Sequence, residues 1–404
     1  MEDEFKNKVI KWVKKVLKNE HFETIDVTFP NYDLGGGFGS EMTFVEVSGE
    51  KSGHTKILNL IVKKSIESLL QFDNINFNDV YLNELNIYSK VVPYFQKFLE
   101  KKKLKPFPNI PHCYGTIIEP NEYVIILENL KPKGFKLNDI RNPLDLSHSK
   151  LALEAYAKWH ALSFALREEE PTVFEELGKC NKTMLETKVF DIFNGTIQNE
   201  LDFVINIYEE KNKTIMIEKL KLLKKNYVDL ATEILSNKNE DYLVIKHGDT
   251  WNNNLLFHYE DGQGNPDEVV IVDWQISSLG SPVCDVACYI FYGSSSQELE
   301  HLGELLDCYY DTLSIELRAL GNEPEKCFPK KYFLESFRKY APVGIAGMPM
   351  LAKMSNKKTH NYNATVDPNE KDFSKLLDGE MRDPEEYFNR INGILEYCIE
   401  HGFL

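Results

Sequence analysis

Hydrophobic residues follow two periodicities in the first third of the chain. From Phe5 to Val16 they recur at helical spacing, which predicts an amphipathic helix. Four later stretches are short and either alternate or are continuously apolar, as strands are. They are residues 27–29, 42–47, 57–63 and 123–127. Residues 77–98 return to helical periodicity, so this part of the chain is predicted to be β-rich with two helical segments.

The pattern changes after Leu130. The sequence Lys131-Pro132-Lys133-Gly134 is typical of a turn. Long helical patterns follow over residues 149–240 and resume after a β interruption at 255–259 and 269–274. The second part of the chain is therefore predicted to be mainly helical.

The C-terminal part has two further features. A helix is predicted to begin at Asp383-Pro384, because an acidic N-cap followed by proline starts helices well. Residues 354–371 are polar without periodicity and are predicted to form a mobile loop. Together the patterns predict an α+β, bilobal fold. A small β-rich N-lobe (residues 1–130) would be joined to a larger helical C-lobe (residues 131–404) by a hinge near 128–134.

The composition is that of a globular protein with an acidic surface. The chain has 404 residues, of which 42% are hydrophobic and 12% aromatic, enough for a large core. Lys and Arg number 47 against 63 Asp and Glu, which gives a net charge of −16. A surface of this sign repels nucleic-acid phosphates and anionic lipids, so we expect neither nucleic acid nor a membrane as a partner.

The sequence shows no targeting signal. Its start, Met1-Glu2-Asp3-Glu4, lacks the basic and continuously apolar character of a signal peptide, and no apolar run is long enough to span a bilayer. The seven cysteines are scattered without a C-x-x-C pair, which favours free thiols over a disulfide framework or a zinc site. These features predict a cytoplasmic protein.

A polar constellation in the second part of the chain carries the candidate chemistry. It is the octapeptide His247-Gly248-Asp249-Thr250-Trp251-Asn252-Asn253-Asn254, just before a predicted strand. Asp249 in a tight loop could accept a proton from a hydroxyl. Asn254 and Asp273, which comes at the end of the next predicted strand, could hold a hard divalent cation through oxygen atoms. A proton acceptor and two oxygen donors for a cation are suited to transferring a phosphoryl group from Mg-ATP to an alcohol, because that reaction depends mainly on positioning and charge neutralisation.

The N-lobe supplies candidate nucleotide-binding residues. Lys63 ends the apolar sequence Leu60-Ile61-Val62, and Glu84 lies in the following helical segment, as do the Lys and Glu that bind and orient ATP phosphates in kinases. Lys64, the next residue, is the alternative candidate for the phosphate-binding lysine. Strand alternation points the two lysines to opposite faces of the sheet. The apolar residues that precede Lys63 favour it as the phosphate-binding lysine.

A glycine-rich segment precedes this strand. Its sequence is Gly35-Gly36-Gly37-Phe38-Gly39-Ser40, and its backbone N–H groups could cover phosphates. Gly37, Gly39 and Ser40 are the candidate contacts. Ser40 stands where the third glycine of G-x-G-x-x-G would be, and a simple hairpin turn is the alternative interpretation.

Other polar residues have more than one interpretation. Glu128 and Leu130, at the predicted hinge, can offer backbone groups to an adenine edge, although the segment also fits an ordinary interlobe connection. His160 and His247 are typical of structural histidines that hydrogen-bond without transferring protons. Asp285 either caps a helix or ties down the catalytic loop.

These residues resemble the choline-kinase and aminoglycoside-phosphotransferase superfamily, which has a protein-kinase-like fold, and within it the ecdysteroid kinase-like family. The matching segments lie in order between roughly residues 30 and 340. They are Leu127–Phe135, Trp159–Ser163, His247–Asn254, Asp273–Gln275 and Gly280–Asp285. Trp274 stands where Phe is more usual in the family, a conservative change.

The resemblance implies an ATP- and Mg²⁺-dependent kinase of small-molecule alcohols, among them moulting-hormone steroids. It implies that Asp249 is the catalytic base and that Asn254 and Asp273 hold the metal. It also implies that Lys63 with Glu84 holds phosphate. A protein kinase is disfavoured, because Trp-Gln replaces Phe-Gly after the metal-binding acid and no long activation segment fits.

The acceptor is expected to be a hydroxyl of a small molecule. The aromatic-rich composition favours an ecdysteroid or another lipophilic alcohol. Two alternatives are open: a choline- or aminoglycoside-type kinase of a cationic alcohol, and a pseudokinase that binds a ligand without catalysis. A hydrolase is disfavoured, because the sequence has neither G-x-S-x-G nor H-E-x-x-H.

Overall fold

An antiparallel sheet organises the first part of the molecule. The computed structural model describes residues 2–30, 39–71, 75–139, 141–237, 240–260, 264–358 and 380–404. The five strands are β1 (Asp26–Thr28), β2 (Ser40–Lys51), β3 (His54–Ser65), β4 (Cys113–Glu119) and β5 (Glu122–Glu128). Their spatial order is β1-β2-β3-β5-β4, which places β3 in the centre of the sheet.

The two faces of β3 have different partners. Leu58, Leu60 and Val62 pack with the first helix, α1 (Glu2–Val16), in one apolar cluster. Alternation along the strand turns Lys63 to the opposite face, where it lines a cavity. Lys64 returns to the α1 face, and its ammonium lies 3.1 Å from Glu41. The sheet thus separates the two neighbouring lysines as the sequence pattern predicts.

A long helical unit lies on the Lys63 side of the sheet. It consists of α2 (Phe77–Asn86), a widened π turn (Ile87–Val91) and α3 (Val92–Lys101). The Asn76 side chain caps α2 by accepting a hydrogen bond from the Asp79 N–H at 3.3 Å. Pro93 has no N–H to donate to the Ser89 carbonyl, so the regular helical hydrogen bonding is interrupted where the turn widens.

The rest of the chain is mainly helical. Its helices are α4 (Leu146–Glu169), α5 (Pro171–Lys179), α6 (Val189–Glu210), α7 (Thr214–Ser236), α8 (Pro282–Gly293), α9 (Ser296–Leu299), α10 (Leu302–Ala319), α11 (Pro324–Cys327), α12 (Lys330–Ser355) and α13 (Pro384–Glu400). Its short strands are β6 (Lys136–Leu137), β7 (Val244–Lys246), β8 (Leu255–His258), β9 (Glu268–Ile271) and β10 (Ser278–Gly280). Strand β8 pairs with both β6 and β9, and β7 pairs with β10.

One large apolar core joins the two parts of the molecule. Tyr156, Trp159 and Phe164 of α4 are fully buried in it. The same core contains Tyr88 from the widened turn and Phe95 from α3. The Phe95 and Trp159 rings meet with their centroids 4.8 Å apart. Because the sheet-side helical unit packs into the helical core, a lobe boundary between residues 130 and 131 stays a prediction.

The predicted elements are present, with shifted ends. Helix α12 continues to Ser355, so the first residues of the predicted mobile loop at 354–371 are helical. Residues 359–379 lie outside the described part of the chain. The second strand of the β interruption ends at Ile271. Asp273 is therefore in the loop beyond the strand and not at the strand end that the pattern predicts.

Three sequence predictions can be compared directly with the described residues. Asp383 caps α13, since its Oδ1 accepts hydrogen bonds from the N–H groups of Glu385 and Glu386 at 3.1 and 3.0 Å. The cysteines are free thiols. In the described part of the chain, no helix has the length and apolar character needed to cross a membrane.

Buried asparagines connect α2 to the helical part of the molecule. Asn83 is 1% exposed. Its Nδ2 donates to the carbonyls of Lys182 and Gln275 at 2.9 and 3.2 Å, and its Oδ1 accepts from the Lys182 N–H at 2.8 Å. Asn181 donates to the carbonyls of Asn83 and Ser277 at 3.2 and 3.0 Å. These bonds fix α2, and with it the neighbouring Glu84, against the loop that follows Asp273.

We expect Asn83→Ala to lower the free energy of unfolding by about 2–3 kcal/mol, because it leaves buried backbone groups without partners. Urea unfolding followed by circular dichroism measures the change. Asn199→Ala, at an exposed position of α6, is the matched control and should change stability by less than about 0.5 kcal/mol. Equal effects of the two substitutions would contradict the role of Asn83 in fixing α2.

Candidate active site

The octapeptide forms the loop between β7 and β8. Its backbone turns at Gly248, which has φ of +89°. A Cβ at this position would lie 2.5 Å from the carbonyl oxygen of Ile276. Glycine alone among the amino acids combines that backbone angle with so close an approach. The turn presents the next residue, Asp249, to a cavity between the two parts of the molecule.

Asp285, in the first turn of α8, holds this loop from behind. Its carboxylate accepts hydrogen bonds from the N–H groups of His247 and Gly248 at 2.6 and 2.9 Å. His160 Nε2 lies 3.2 Å from the same carboxylate. Burial raises the pKa of Asp285, but the hydrogen bond and charge of His160 outweigh burial and lower it below its ordinary value. Because Ser281 caps α8, Asp285 is the loop anchor and not the helix cap.

His247 is a fully buried structural residue. Its Nε2 lies 3.0 Å from the Val272 carbonyl, and its Nδ1 accepts a hydrogen bond from the Asp249 N–H at 3.2 Å. This pattern fits a neutral ring with one donating and one accepting nitrogen. Burial lowers the pKa of His247, which favours the same neutral form. The imidazole therefore braces the backbone of the loop on both sides.

Asp249 and Asn254 form a hydrogen-bonded pair inside the loop. Asn254 Nδ2 donates to the Asp249 carbonyl at 2.9 Å and to its Oδ2 at 2.8 Å. Burial, together with the negative charge of Asp273, raises the pKa of Asp249 to about 7. A carboxyl group with this pKa can accept a proton at neutral pH. Since the amide nitrogen of Asn254 is engaged, its Oδ1 is the atom suited to a cation.

Lys63 bridges two carboxylates from different parts of the chain. Its Nζ lies 2.7 Å from Oε2 of Glu84 and 2.8 Å from Oδ1 of Asp273. The Lys63 and Glu84 side chains are 11% and 2% exposed. Burial alone would lower the pKa of Lys63, but the charges of Asp273 and Glu84 outweigh it and raise the pKa. The ammonium therefore stays charged inside the cavity wall.

The backbone around Asp273 is unusual. Asp273 has φ of +64°, in the left-handed region that few residues other than glycine adopt. Such a conformation persists only where the surroundings hold it. Here the Trp274 N–H donates to Glu84 Oε1 at 3.4 Å. The Trp274 ring is fully buried, with centroids 4.5 Å from Trp159 and 4.6 Å from His247. The loop is thus fixed on both sides of the acid.

The start of β2 is fixed to the same loop. Gln275 Nε2 donates to Ser40 Oγ at 2.8 Å, and the Tyr81 hydroxyl donates to the Gly39 carbonyl at 2.6 Å. Gly39 lines the cavity, and its contact with phosphate stays a prediction. Ser40 is 4% exposed and bonds to Gln275 behind the cavity wall. Gly37 lies outside the described residues, so its predicted contact stays a prediction.

Hydrogen bonds within the protein decide which backbone groups at the hinge are available to a ligand. The N–H of Glu128 donates to the His112 carbonyl, and that of Asn129 donates to the Asn59 carbonyl, both at 2.8 Å. The Leu130 N–H has no partner within the described ranges, and Leu130 lines the cavity. The Leu130 N–H is thus available to a ligand, whereas the Glu128 N–H is not, and the predicted adenine contacts of both residues stay predictions.

The candidate catalytic and nucleotide-binding groups line one cavity of about 540 Å³. The apolar residues that line it fall into two sets according to the elements that carry them. The first set comes from the sheet, the hinge and the β8–β9 region, and consists of Met42, Phe44, Ile61, Leu127, Leu130, Leu256 and Val272. The second set, which we call the apolar chamber, consists of Phe77, Val80, Val189, Ile192, Phe193, Ile276, Leu351 and Met354. The polar residues that line the same cavity include Lys63, Glu84, Asp249, Asn254 and Asp273.

The oxygen donors fit a magnesium nucleotide better than a permanently bound metal. Asn254 and Asp273 supply amide and carboxylate oxygens, which hard cations prefer. Within the described ranges, no group of three or more His, Cys, Asp or Glu residues could form a complete metal site. Mg²⁺ commonly takes one or two protein ligands and completes its shell with phosphate oxygens and water. The donor set therefore matches that cation in company with phosphates.

The structure brings the central predicted residues together: Lys63, Glu84, Asp249, Asn254 and Asp273. The sequence reasoning missed the Gln275 contact and the apolar chamber. The sequence did contain an indication of part of the chamber, because Phe77, Val80 and Glu84 follow the i, i+3, i+7 spacing of one helix face. The other chamber residues come from α6, α12 and the loop that contains Ile276, and they had no readable motif.

The raised pKa of Asp249 predicts that the free energy of unfolding of the ligand-free protein depends on pH. The folded state holds an extra proton between the ordinary Asp value, about 3.9, and the folded value of about 7. Stability from this group is therefore lost as pH rises through that window. We expect wild type to be more stable relative to Asp249→Asn at pH 5 than at pH 8. Urea unfolding at both pH values tests this, and an unchanged difference would contradict it.

We expect Gly248→Ala to destabilise the loop by at least about 2 kcal/mol more than Gly264→Ala. Both glycines have positive φ, at +89° and +99°, but a Cβ at Gly264 meets no atom within 4 Å. The pair of variants therefore separates the steric contact with Ile276 from the cost of the backbone angle. Thermal and urea unfolding provide the measurement. Equal destabilisation of the two variants would show that the close approach does not matter.

Comparisons with known proteins place the chain in a family. No curated protein matches the chain. One similar solved structure is a putative fructosamine-3-kinase from Haemophilus somnus 129PT, 13% identical over 90% of this chain and 95% of that chain, with a TM-score of 0.34. Another is a glucosamine kinase, 12% identical over 90% of this chain and 77% of that chain, with a TM-score of 0.30. These scores are too low to carry the assignment, which rests on the family match. A model of the ecdysteroid kinase-like family matches residues 34–322, more than half of the chain, and the protein belongs to that family.

Proposed function

We propose that this protein transfers the γ-phosphoryl group of Mg-ATP to a hydroxyl group of a neutral, lipophilic small molecule. One observation carries the proposal. The Lys63–Glu84–Asp273 ion network and the Asp249–Asn254 pair converge on the wall of a single cavity. A phosphate-binding cation, two oxygen donors for a metal and a proton acceptor are the groups that phosphoryl transfer to an alcohol requires.

Nucleotide binding would use the sheet side of the cavity. The adenine would lie among the apolar residues of β2, β3 and β5, with its edge accepting from the Leu130 N–H. Lys63, oriented by Glu84, would then contact the phosphates. Asn254 and Asp273 would hold Mg²⁺, which neutralises phosphate charge when bound. Because Lys63 already contacts Asp273, the phosphates would enter between groups that are in place before binding.

Asp249 would act on the acceptor. Its carboxylate takes the proton of the hydroxyl as the acceptor oxygen bonds to the γ-phosphorus. The bond from that phosphorus to the β–γ bridging oxygen breaks, and ADP leaves with the electron pair. A pKa of about 7 suits a carboxylate that must take this proton near neutral pH. Asp285 and His247 keep the loop backbone fixed during the transfer.

The apolar chamber favours a lipophilic acceptor such as an ecdysteroid over a cationic alcohol. Phe77, Val80 and Val189 belong to one apolar cluster, and Ile192, Phe193 and Ile276 pack against it. The carboxylates that line the cavity have other partners: Glu84 and Asp273 contact Lys63, Asp249 contacts Asn254, and Glu128 contacts Lys133. A choline-type acceptor would need an uncommitted carboxylate or an aromatic cage around its charge. The second candidate, a ligand-binding pseudokinase, is disfavoured because each expected catalytic position carries a suitable residue.

We expect Asp249→Asn to lower the rate of phosphate transfer from radiolabelled ATP to an ecdysteroid or another lipophilic alcohol by at least about 100-fold, because the variant lacks the proton acceptor. Asp229→Asn, at an exposed position of α7, is the control and should keep the wild-type rate. Calorimetric titration with Mg-AMPPNP should show nucleotide binding by both variants.

Two outcomes would contradict the proposal in different ways. Near wild-type turnover by Asp249→Asn would exclude Asp249 as the base. Absence of Mg-dependent nucleotide binding by the wild-type protein would favour the pseudokinase. Phosphorylation of choline or an aminoglycoside in preference to neutral alcohols would support the cationic acceptor class instead.

A further inference from the structure

The glycine-rich segment enters the sheet at Gly39, where α2 holds its backbone. Gly39 has φ of +86° and lines the cavity. Its carbonyl accepts a hydrogen bond from the Tyr81 hydroxyl at 2.6 Å, whereas its N–H has no partner within the described ranges. Backbone N–H groups of glycine-rich turns bind phosphate oxygens. Gly39 therefore carries an uncommitted donor of this type at the cavity wall.

The Tyr81 hydroxyl makes two hydrogen bonds that fix this part of the backbone. Besides donating to Gly39, it accepts from the Ile66 N–H at 3.1 Å, just beyond the strand that carries Lys63. Tyr81 is 4% exposed, and its ring stacks on Tyr123 with centroids 5.8 Å apart. Burial raises the pKa of Tyr81, so the phenol stays neutral and able to donate. The hydroxyl thus joins the end of β3 to the end of the glycine-rich segment.

Gln275 supports the same segment from the loop that contains the candidate metal-binding acid. It follows Asp273 by two residues, and its Nε2 donates to Ser40 Oγ at 2.8 Å. Its Oε1 lies 3.4 Å from the place that a Cβ on Gly39 would take. Its carbonyl accepts from Asn83 Nδ2 at 3.2 Å. The loop beyond Asp273 is therefore bonded directly to the start of β2.

We propose that Tyr81 and Gln275 are positioning residues for the nucleotide phosphates. They hold Gly39 in the conformation from which its N–H binds a phosphate oxygen, in the cavity that Lys63 and Asp273 also line. Glycine has more backbone freedom than any other residue, so a donor carried by a glycine-rich segment needs side chains to hold it. The inference rests on the proposed function and deepens it, since it assigns the residues that fix the phosphate-covering backbone.

The α2 helix serves both halves of the phosphate site. Tyr81 and Glu84 are three residues apart and share one helix face. Tyr81 holds the glycine-rich segment, whereas Glu84 contacts Lys63 at 2.7 Å. Asn83, between them, bonds α2 to the loop after the metal-binding acid. Because these contacts lie within the protein, the backbone donor and the ammonium are placed together, and nucleotide binding need not order them.

Calorimetric titration of the full-length protein with Mg-AMPPNP tests this role. Tyr81→Phe removes the hydroxyl and keeps the ring, and Gln275→Met removes the amide and keeps the length of the side chain. We expect each substitution to raise the Kd of Mg-AMPPNP by at least about fivefold, the effect of one lost hydrogen bond. The Kd of adenosine, which has no phosphates, should change by less than about twofold in competition with Mg-AMPPNP.

The matched control is Tyr310→Phe. The Tyr310 hydroxyl donates to Glu325 at 2.8 Å and to the Phe328 carbonyl at 2.9 Å, and Tyr310 is outside the described lining of the cavity. This substitution therefore removes a buried hydroxyl with two hydrogen bonds, as Tyr81→Phe does. It should lower thermal stability to a similar extent and leave the Kd of Mg-AMPPNP at the wild-type value. Thermal unfolding of every variant measures the stability part.

Three outcomes would overturn the inference while leaving the proposed function standing. The first is an unchanged Kd of Mg-AMPPNP in either Tyr81→Phe or Gln275→Met. The second is equal weakening of Mg-AMPPNP binding by Tyr310→Phe, which would show that the loss follows stability. The third is equal weakening of adenosine binding, which would show an effect on the whole nucleotide site. Absence of Mg-AMPPNP binding by the wild-type protein would defeat the proposed function itself.

Discussion

The buried ion bridge of Lys63 with Glu84 and Asp273 constrains the rest of the molecule. Removing Lys63 would leave two neighbouring carboxylates without a counter-charge, one of them, Glu84, only 2% exposed. The three residues come from β3, α2 and the loop after β9. The central strand, the long helical unit and the catalytic region must therefore be assembled before the bridge can form.

The two sides of the cavity are built by different forces. The catalytic side is directional: Asp285, His247 and Asn254 each fix a particular backbone or side-chain atom through hydrogen bonds. The chamber side depends on apolar contacts, which constrain volume much more than direction. The chemistry is therefore set by geometry that tolerates little change, whereas the preferred shape of the acceptor can vary through the size of residues such as Ile192 and Phe193.

Local patterns in the sequence were sufficient for much of the fold and the polar site. Alternation in β3 separates Lys63 from Lys64, and the octapeptide contains both Asp249 and Asn254. The sequence could not show that Ser40 bonds to Gln275 or that His112 uses the Glu128 N–H, because those contacts depend on tertiary placement. The chamber was hidden for the same reason, since its residues come from three helices and one loop that only packing brings together.

The widened turn at Ile87–Val91 limits how this chain can change in length. It lies between Glu84, which must face Lys63, and Phe95, which must face Trp159 in the core. Each residue of an α-helix adds about 100° of rotation, so removing or inserting one residue here would turn one of those side chains away from its partner. No described cavity-lining residue comes from the turn. Its length is nevertheless as restricted as that of the catalytic loop, so a segment remote from any ligand should tolerate substitutions far better than insertions or deletions.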